Sequence, residues 1–398
     1  MLRRTFLQGL SLAGLSYHSN LLATPSSSGQ FLLIFLRGGY DAANLLVPYS
    51  SSFYYESRPN LALAKPGSQA DAALALDSNW GLHPALAESI YPWFAQKQLA
   101  FIPFAGTDDL TRSHFETQDS IEMGQPTGSR RNYQSGFLNR LAQVLSNGSG
   151  KKIASMSFTE QLPLVMQGQI SVSNAGLRNP AKNNPDQRQQ QLIRQMYQES
   201  SLAKPVADGF ATRDEIARDM QQEMNAANRN AISTKGFELE AERIGRMMKE
   251  KYSLGFLDVG GWDTHVNQGA AKGALANKFE ELGRGLVALR RGLGASWAST
   301  SIVVISEFGR TFRENGKQGT DHGHGSVYWL SGGAINGGKI AGQQTQINAN
   351  SLFQNRDYAV LNDYRALLGG LFQRQFALSP SQLEQVFAGV KAQDLGLL

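Results

Sequence analysis

Cysteine is absent from the 398-residue chain. Its absence excludes disulfide bonds, thiolate metal ligands and a lipid anchor on an N-terminal cysteine. The composition suits an oxidising compartment, although it does not require one. Any metal bound by this protein must therefore be held by nitrogen and oxygen ligands.

The sequence also has little excess charge and no long hydrophobic run. Its formal net charge is +5, which falls to +3 without Arg3 and Arg4. The other basic residues are scattered along the chain, whereas nucleic-acid-binding proteins usually gather theirs on one face. No segment reaches the roughly 20 consecutive apolar residues of a membrane span. We therefore expect no nucleic-acid partner and no stable membrane span.

An arginine pair lies close to the N-terminus. Arg3 and Arg4 are followed by a modest apolar stretch that polar residues interrupt. This pattern resembles a twin-arginine signal, which addresses folded proteins for export. The alternative is a basic amphipathic helix at the start of a cytosolic protein. We predict that residues 1–28 are a signal peptide and linker read by the twin-arginine translocase, and that the mature protein is periplasmic or secreted.

Four runs of apolar residues have the length of β-strands. They are Phe31–Leu36, Leu99–Phe104, Leu254–Val259 and Ser301–Ile305. Continuous runs of this kind are typical of strands buried on both faces, as in a parallel sheet covered by helices. The sequence therefore predicts an α/β fold with a largely parallel central sheet flanked by helices. The segment Lys278–Arg291 is predicted to be one of those helices.

Residues 179–251 differ in composition from the rest of the chain. They are rich in Gln, Arg, Glu, Met and Asn, and residues 189–199, 213–228 and 237–249 have helical spacing. We predict that this region is a helical insertion in a single α/β domain of residues 29–398. One hypothesis gives the insertion the role of docking a protein partner.

Acidic residues follow three of the four predicted strands, and histidines accompany them in two of these three segments. Ligands in open α/β sheets lie at the carboxyl ends of the strands. Carboxylates and imidazoles are the ligands that a cysteine-free chain offers to zinc or manganese. Singly, each residue could equally be a helix cap, an ion-pair partner or a packing residue. Together they predict one shared metal site formed by Asp41, Asp263, His265, Glu307, Asp321, His322 and His324.

The spacing of the histidines supports the same site. His265 lies two residues after Asp263, and His324 lies two residues after His322. On an extended segment, side chains two residues apart point in the same direction. We therefore expect the two members of each pair to face the same ligand.

The loop after the second predicted strand carries further candidate residues. Thr111 and Ser113 precede a predicted helix, whose N-terminus favours an anion or an alkoxide. Either hydroxyl equally fits a structural N-cap. Arg112 is a hypothetical clamp for an anionic substrate group, and His114 a hypothetical acid, base or metal ligand.

Four sequence motifs together resemble the bacterial domain of unknown function 1501 family. They are Phe35–Asp41, Gly261–His265, Ser306–Thr311 and Thr320–Gly325. That family is similar in turn to the alkaline phosphatase and sulfatase superfamily, whose α/β sandwiches bind one or two divalent metals at the strand ends. The resemblance implies the metal ligands named above, with Ser113 or Thr111 as the nucleophile.

The chain departs from those enzymes at several positions. Glu307 is followed by Phe308 where many of the enzymes have Asp-His, and Asp263 and His265 are closer together than the Asp-x-x-x-His of several members. No Cys-x-Pro-x-Arg or Ser-x-Pro-x-Arg motif is present. An arylsulfatase of the formylglycine type is therefore not expected.

Two functional hypotheses follow. The first is an exported hydrolase of phosphate or sulfate esters, which acts on a small anionic ester with one or two zinc, manganese, magnesium or calcium ions. Its nucleophile is either Ser113 or hydroxide from metal-bound water. The second is a non-catalytic exported metal-binding protein that docks a partner through residues 179–251. A serine esterase is third, since the sequence has no Gly-x-Ser-x-Gly motif.

Overall fold

A computed structural model of the chain describes residues 29–150, 152–176, 192–193, 195–211 and 236–398. The predicted signal segment and most of the predicted insertion lie outside these residues, so export and docking through the insertion stay predictions. Within the described ranges, no helix is long and apolar enough to cross a membrane.

Twelve short or medium strands form two sheets in the described chain. In chain order they are β1 (Gln30–Leu36), β2 (Leu46–Val47), β3 (Leu74–Ala75), β4 (Gly81–Leu82), β5 (Leu99–Gly106), β6 (Ser155–Ser157), β7 (Ser173–Asn174), β8 (Leu254–Val259), β9 (Thr300–Ser306), β10 (Ser326–Ser331), β11 (Lys339–Ile340) and β12 (Asn362–Asp363). All four strands predicted from sequence, now β1, β5, β8 and β9, are confirmed.

The larger sheet has nine strands and is mostly parallel. Its order is β11-β5-β10-β9-β1-β8-β6-β7, and β12 also pairs with β5. Among the described strands of this larger sheet, only β10 runs antiparallel to its neighbours, β5 and β9. The three remaining strands form a small sheet in the order β2-β4-β3. The predicted α/β architecture with a largely parallel central sheet is thus confirmed.

Helices cover both faces of the larger sheet. Those named here are α1 (Ala42–Leu45), α2 (Ser52–Ser57), α3 (Tyr91–Ala95), α4 (His114–Met123), α5 (Phe137–Ser149), α6 (Phe237–Glu250), α7 (Ala274–Leu293), α8 (Tyr364–Phe376) and α9 (Pro380–Val386). The helix predicted for residues 278–291 corresponds to α7. The last helical stretch of the predicted insertion corresponds to α6, which packs along α7.

The alternating side chains of β1 show how the sheet holds two cores. Leu32 and Ile34 point to the face covered by α6 and α7, where they join one apolar cluster. Phe31 and Leu33 point to the face covered by α5 and α8, and Phe31 meets Phe372 edge to face at 5.0 Å. Because successive residues of a strand face opposite sides, a strand buried on both faces needs a continuous apolar run.

The order of the strands brings three loops to one edge. In the centre of the sheet, Leu36 of β1 is level with Val259 of β8 and Ser306 of β9. The loops after these strands therefore leave the sheet at the same height. The loop after β5 starts further from the centre of the sheet, because β10 lies between β5 and β9.

Candidate metal centre

Three histidine rings converge at the carboxyl edge of the sheet. The Nε2 atom of His322 lies 3.0 Å from Nε2 of His114 and 3.2 Å from Nε2 of His265. Asp263 joins them, with Oδ1 at 2.8 Å from Nε2 of His265 and 3.4 Å from Nε2 of His322. Its Oδ2 lies 3.6 Å from Nε2 of His114. The segments that follow β5, β8 and β9 thus bring four side chains together, with His322 and Asp263 between His114 and His265.

The second nitrogen of each ring fixes which tautomer is present. The Nδ1 atoms of His114, His265 and His322 each face an oxygen. These oxygens are, in order, Glu307 Oε1 at 2.7 Å, Asp321 Oδ1 at 3.1 Å and the Arg112 carbonyl at 3.0 Å. Carbonyls and ionised carboxylates only accept hydrogen bonds, so each Nδ1 donates one. A neutral ring then presents a lone pair at Nε2.

A divalent ion between these atoms would relieve the repulsion among them. Without a positive charge, three imidazole lone pairs and a carboxylate oxygen at these distances repel one another. A tetrahedral zinc with nitrogen ligands at about 2.0–2.1 Å separates those nitrogens by about 3.3 Å. The observed Nε2 separations of 3.0 and 3.2 Å are close to that value. One ligand atom each of His114, Asp263 and His322 lies within 4.8 Å of the others, so these three side chains could hold one divalent ion, and His265 lies beside two of them.

Glu307 holds His114 in place from behind. Its buried Oε1 accepts hydrogen bonds from His114, from the Gly38 backbone N–H at 2.8 Å and from Gln118 Nε2 at 2.8 Å. Burial opposes ionisation of Glu307, but the hydrogen bonds from His114 and Gln118 hold its pKa below the usual range. The hydrogen bond to Glu307 in turn raises the pKa of His114. Glu307, predicted as a metal ligand, thus contacts the cluster from outside, through Nδ1 of His114.

Gly38 allows the loops after β1 and β8 to approach closely. Its φ of +124° lies in a region that residues other than glycine rarely adopt. A Cβ atom at this position would lie 2.7 Å from the backbone nitrogen of Asp263. Glycine is therefore required here for both backbone conformation and space.

Asp321 holds His265 in the same way that Glu307 holds His114. Its Oδ1 also accepts a hydrogen bond from Asn315 Nδ2 at 3.1 Å. Burial opposes ionisation, but the hydrogen bonds from Asn315 and His265 keep the pKa of Asp321 below its usual range. Asp321, another predicted ligand, thus contacts the cluster through Nδ1 of His265.

Arg310 orients the carboxylate of Asp263. Its side chain is fully buried, and Nη1 donates to Asp263 Oδ1 at 2.7 Å. Burial opposes ionisation of Asp263, but the Arg310 guanidinium outweighs it and lowers the pKa. An antiparallel bridge between Arg310 and His322 fixes the loop that carries the third imidazole.

Asp41 is not part of the cluster. Both of its carboxylate oxygens are bound to Arg58, at 2.5 and 2.9 Å, and Gln268 Nε2 donates to Oδ2 at 2.6 Å. Both partners of this ion pair are at most 1% exposed. Asp41 was expected to bind the shared metal. In the structure its carboxylate is instead paired with the buried Arg58, away from the histidines.

His324 also lies outside the cluster. Its ring packs on Phe353 with the centroids 5.0 Å apart, and burial lowers its pKa to about 4. The ring of His322, by contrast, contacts His114 and His265. The side chains of His322 and His324 therefore do not point in the same direction, contrary to the expectation. His322 lies in the antiparallel bridge with Arg310.

The residues before α4 have structural partners. Ser113 is the N-cap of α4 and accepts from the Glu116 N–H at 3.5 Å. Thr111 Oγ1 donates to Asp109 Oδ1 at 2.6 Å. The Arg112 guanidinium donates to Asp357 Oδ2 at 2.6 and 2.9 Å. The anion clamp predicted for Arg112 is therefore filled by a carboxylate of the chain itself.

Comparison with known proteins places the chain in a family. No curated protein matches the sequence. The solved structure of Ps i-CgsB in complex with k-i-k-neocarrahexaose is 12% identical with a TM-score of 0.39, and the similarity covers 92% of this chain and 75% of that chain. A second solved structure, of Ps i-CgsB, is 12% identical with a TM-score of 0.30. The similarity covers 76% of this chain and 65% of that chain. The model of the family described as Protein of unknown function (DUF1501) matches residues 29–387, and the chain belongs to that family.

Proposed function

We propose that this protein is an exported, metal-dependent hydrolase of phosphate or sulfate esters, with one divalent ion held by His114, His322 and Asp263 and with His265 beside it. The observation that carries the proposal is the convergence of three Nε2 lone pairs whose tautomers are fixed by hydrogen bonds at Nδ1. Three imidazoles favour zinc over magnesium and calcium, which prefer oxygen ligands. The site at the carboxyl edge of a mostly parallel sheet supports the alkaline phosphatase-like sandwich as part of this proposal.

The exposure of the four side chains favours catalysis over a structural role. Their exposed fractions run from 23% for His114 to 41% for Asp263. Structural zinc sites are closed, whereas catalytic sites keep a position open to water or substrate. Zinc held by these residues would lower the pKa of a water molecule bound to it to about 7 and would polarise the ester oxygens. Glu307, Asp321 and Arg310 orient the side chains of His114, His265 and Asp263, respectively.

The nucleophile in this proposal is water. Ser113 caps α4, and the described residues place no base on its hydroxyl. The alternative of a covalent serine intermediate predicts that Ser113→Ala abolishes turnover. Attack by water predicts that this variant keeps turnover. Its free energy of unfolding should fall by about 1 kcal/mol, because the N-cap of α4 is lost.

Metal analysis and an ester screen test the proposal together. We expect about one zinc ion per mature chain, and hydrolysis that stops on chelation and returns when zinc is added. The control variant Asp263→Asn should lose both metal and turnover. Protein without stoichiometric metal would contradict the site. Metal without turnover of any ester would instead favour the non-catalytic metal-binding protein.

A separate prediction concerns the backbone of Arg112, whose carbonyl holds His322. Arg112 has φ of +52°, a conformation that glycine adopts freely and that is costly for every residue with a Cβ atom; in the wild type, the ion pair with Asp357 offsets that cost. We expect Arg112→Gly to keep zinc affinity within a few-fold, whereas Arg112→Ala loses about tenfold, as for other partners of metal ligands. Competition with a zinc chelator measures both. Equal losses in the two variants would assign the effect to the ion pair with Asp357 instead.

A further inference from the structure

We infer that the alcohol part of the ester substrate is apolar, an alkyl or aryl group of several carbon atoms. This inference rests on the proposed function and narrows its substrate class. It follows from an apolar rim beside the three histidines, which we define as the exposed side chains of Leu110, Phe115, Tyr133 and Val266.

Exposed apolar side chains are concentrated in the segments that carry the metal centre. In the described residues of 29–176 and 236–398, four large apolar side chains have about half or more of their surface exposed, and they are those of the apolar rim. Three of them lie between β5 and α5, in the segment that supplies His114, whereas Val266 lies in the segment after β8 that supplies His265. Scattered exposed apolar residues are normal, but a group around one opening indicates a binding site.

Phe115 and Val266 flank the histidine cluster. Phe115 follows His114 in the chain and is 83% exposed, and Val266 follows His265 and is 52% exposed. The rings of His114 and His265 both approach Nε2 of His322, at 3.0 and 3.2 Å. Consecutive Cα atoms are about 3.8 Å apart, so each of these two apolar side chains begins beside a histidine of the cluster.

The face of α4 that carries Phe115 looks toward β8. Residues three and seven positions apart share one face of an α-helix, and Gln118 and Glu122 stand at these positions after Phe115. Both contact Arg37 at 2.8 Å, and Arg37 pairs with Asp258 of β8 at 2.7 Å. Phe115 therefore lies on the side of α4 that faces β8 and the segment that follows it.

The other two members extend the apolar rim around the start of α4. Arg131 donates to the Tyr133 hydroxyl at 3.2 Å and to Glu116, in the first turn of α4, at 3.4 Å. Leu110 lines the same cavity as Arg131. The apolar rim thus runs from the segment after β8, through Phe115, to the residues around the start of α4.

The size of the apolar rim favours a small molecule over a protein partner. Its four side chains expose roughly 400 Å², whereas each partner of a stable protein complex buries about 800 Å². An ester whose acid group lies at the histidines extends its alcohol outward past the apolar rim. Carbon atoms of an apolar alcohol there remove apolar side-chain surface from water, which is favourable.

Binding of alkylphosphonates to the zinc-loaded mature protein tests the inference without turnover. Methyl-, propyl- and hexylphosphonate share one head group, which is not hydrolysed, and they differ in the length of the apolar chain. Each fully buried CH₂ group strengthens binding about fourfold. Because the apolar rim is open on one side, we expect Kd for hexylphosphonate to be lower than Kd for methylphosphonate by at least about tenfold. Isothermal titration calorimetry measures both values.

Variants of the apolar rim test the cause. Phe115→Ser and Val266→Ser should each reduce this ratio of Kd values about threefold. Their zinc content should be unchanged, because exposed side chains contribute little to folding. Phe115→Leu keeps an apolar side chain and should keep most of the ratio. The matched control is Val287→Ser, which should leave the ratio unchanged, because Val287 lines a cavity with Trp297 near the start of β9, at the opposite edge of the sheet.

Turnover of 4-alkylphenyl esters gives a second measure, with the acid, phosphate or sulfate, that the ester screen identifies. An alkyl group hardly changes the acidity of the phenol, so kcat/KM reports the apolar contact and not the quality of the leaving group. We expect kcat/KM to rise at least about fivefold from the 4-methylphenyl to the 4-hexylphenyl ester. Phe115→Ser should reduce this rise.

The other outcomes separate failure of the inference from failure of the proposed function. Equal affinity for the three phosphonates, no measurable binding of any of them, or the same dependence on chain length in wild type and both serine variants would each overturn the inference. Equal affinity together with self-association that Phe115→Ser abolishes would instead assign the apolar rim to a second copy of the chain. Zinc-loaded protein that turns over no ester, but binds longer phosphonates more tightly, would overturn the hydrolase and keep the apolar binding site.

Discussion

Replacement of Asp41 by alanine is expected to lower the free energy of unfolding by about 3–5 kcal/mol without loss of bound metal. The change leaves the Arg58 guanidinium fully buried without its carboxylate partner. Arg58 would keep its hydrogen bonds to the carbonyls of Phe312 and Thr311, which do not neutralise its charge. Chemical denaturation measures the loss, and metal analysis of the folded variant measures the zinc content.

A double variant separates the ion pair from a metal ligand. Asp41→Ala with Arg58→Met removes both charges, so part of the lost stability should return, because replacing a whole buried ion pair by apolar residues costs far less than breaking it. The metal content should again stay at the wild-type value. Folded Asp41→Ala protein that binds no zinc would return Asp41 to the set of ligands.

The strands could be predicted because each is a local property of the sequence. A continuous apolar run such as Phe31–Leu36 carries the signal of a strand buried on both faces. β10 was not predicted, although Ser326–Ser331 is fully buried, because its antiparallel pairing with β5 and β9 joins segments far apart in the chain. Sheet order, unlike strand position, depends on such long-range contacts.

The candidate site shows the same division between local and long-range information. Residue type and strand-end position were enough to select Asp263, His265 and His322. They could not show that Arg58 binds Asp41, because the pairing depends on the fold around both residues. They also do not distinguish a residue at the centre of the cluster from one that contacts it from outside, as Glu307 does through His114.

One contributor to the site did carry a sequence signal. Gln118 follows His114 by four residues, and side chains at this spacing share one face of a helix. In the structure both donate to the same oxygen of Glu307. The spacing predicts a shared partner, but it does not identify that partner as Glu307.

Replacement of His322 by alanine is expected to have the largest effect on metal binding. The Nε2 atom of His322 contacts both other rings, at 3.0 and 3.2 Å, so its loss removes the central ligand of the cluster. Zinc affinity should fall by more than the roughly 10–100-fold seen when a partner of a ligand is removed. Metal analysis after dialysis against a weak chelator measures the loss.

His324 provides the matched control, because it lies two residues away and outside the cluster. His324→Ala removes a buried ring that packs on Phe353, so we expect lower thermal stability with zinc retained. Metal bound only to the folded state raises its melting temperature. Chelator should therefore lower the melting temperature of the wild type and of His324→Ala, and leave that of His322→Ala unchanged. If chelator affected the two variants equally, the three-histidine site would be contradicted, because only one of the two rings faces the other ligands.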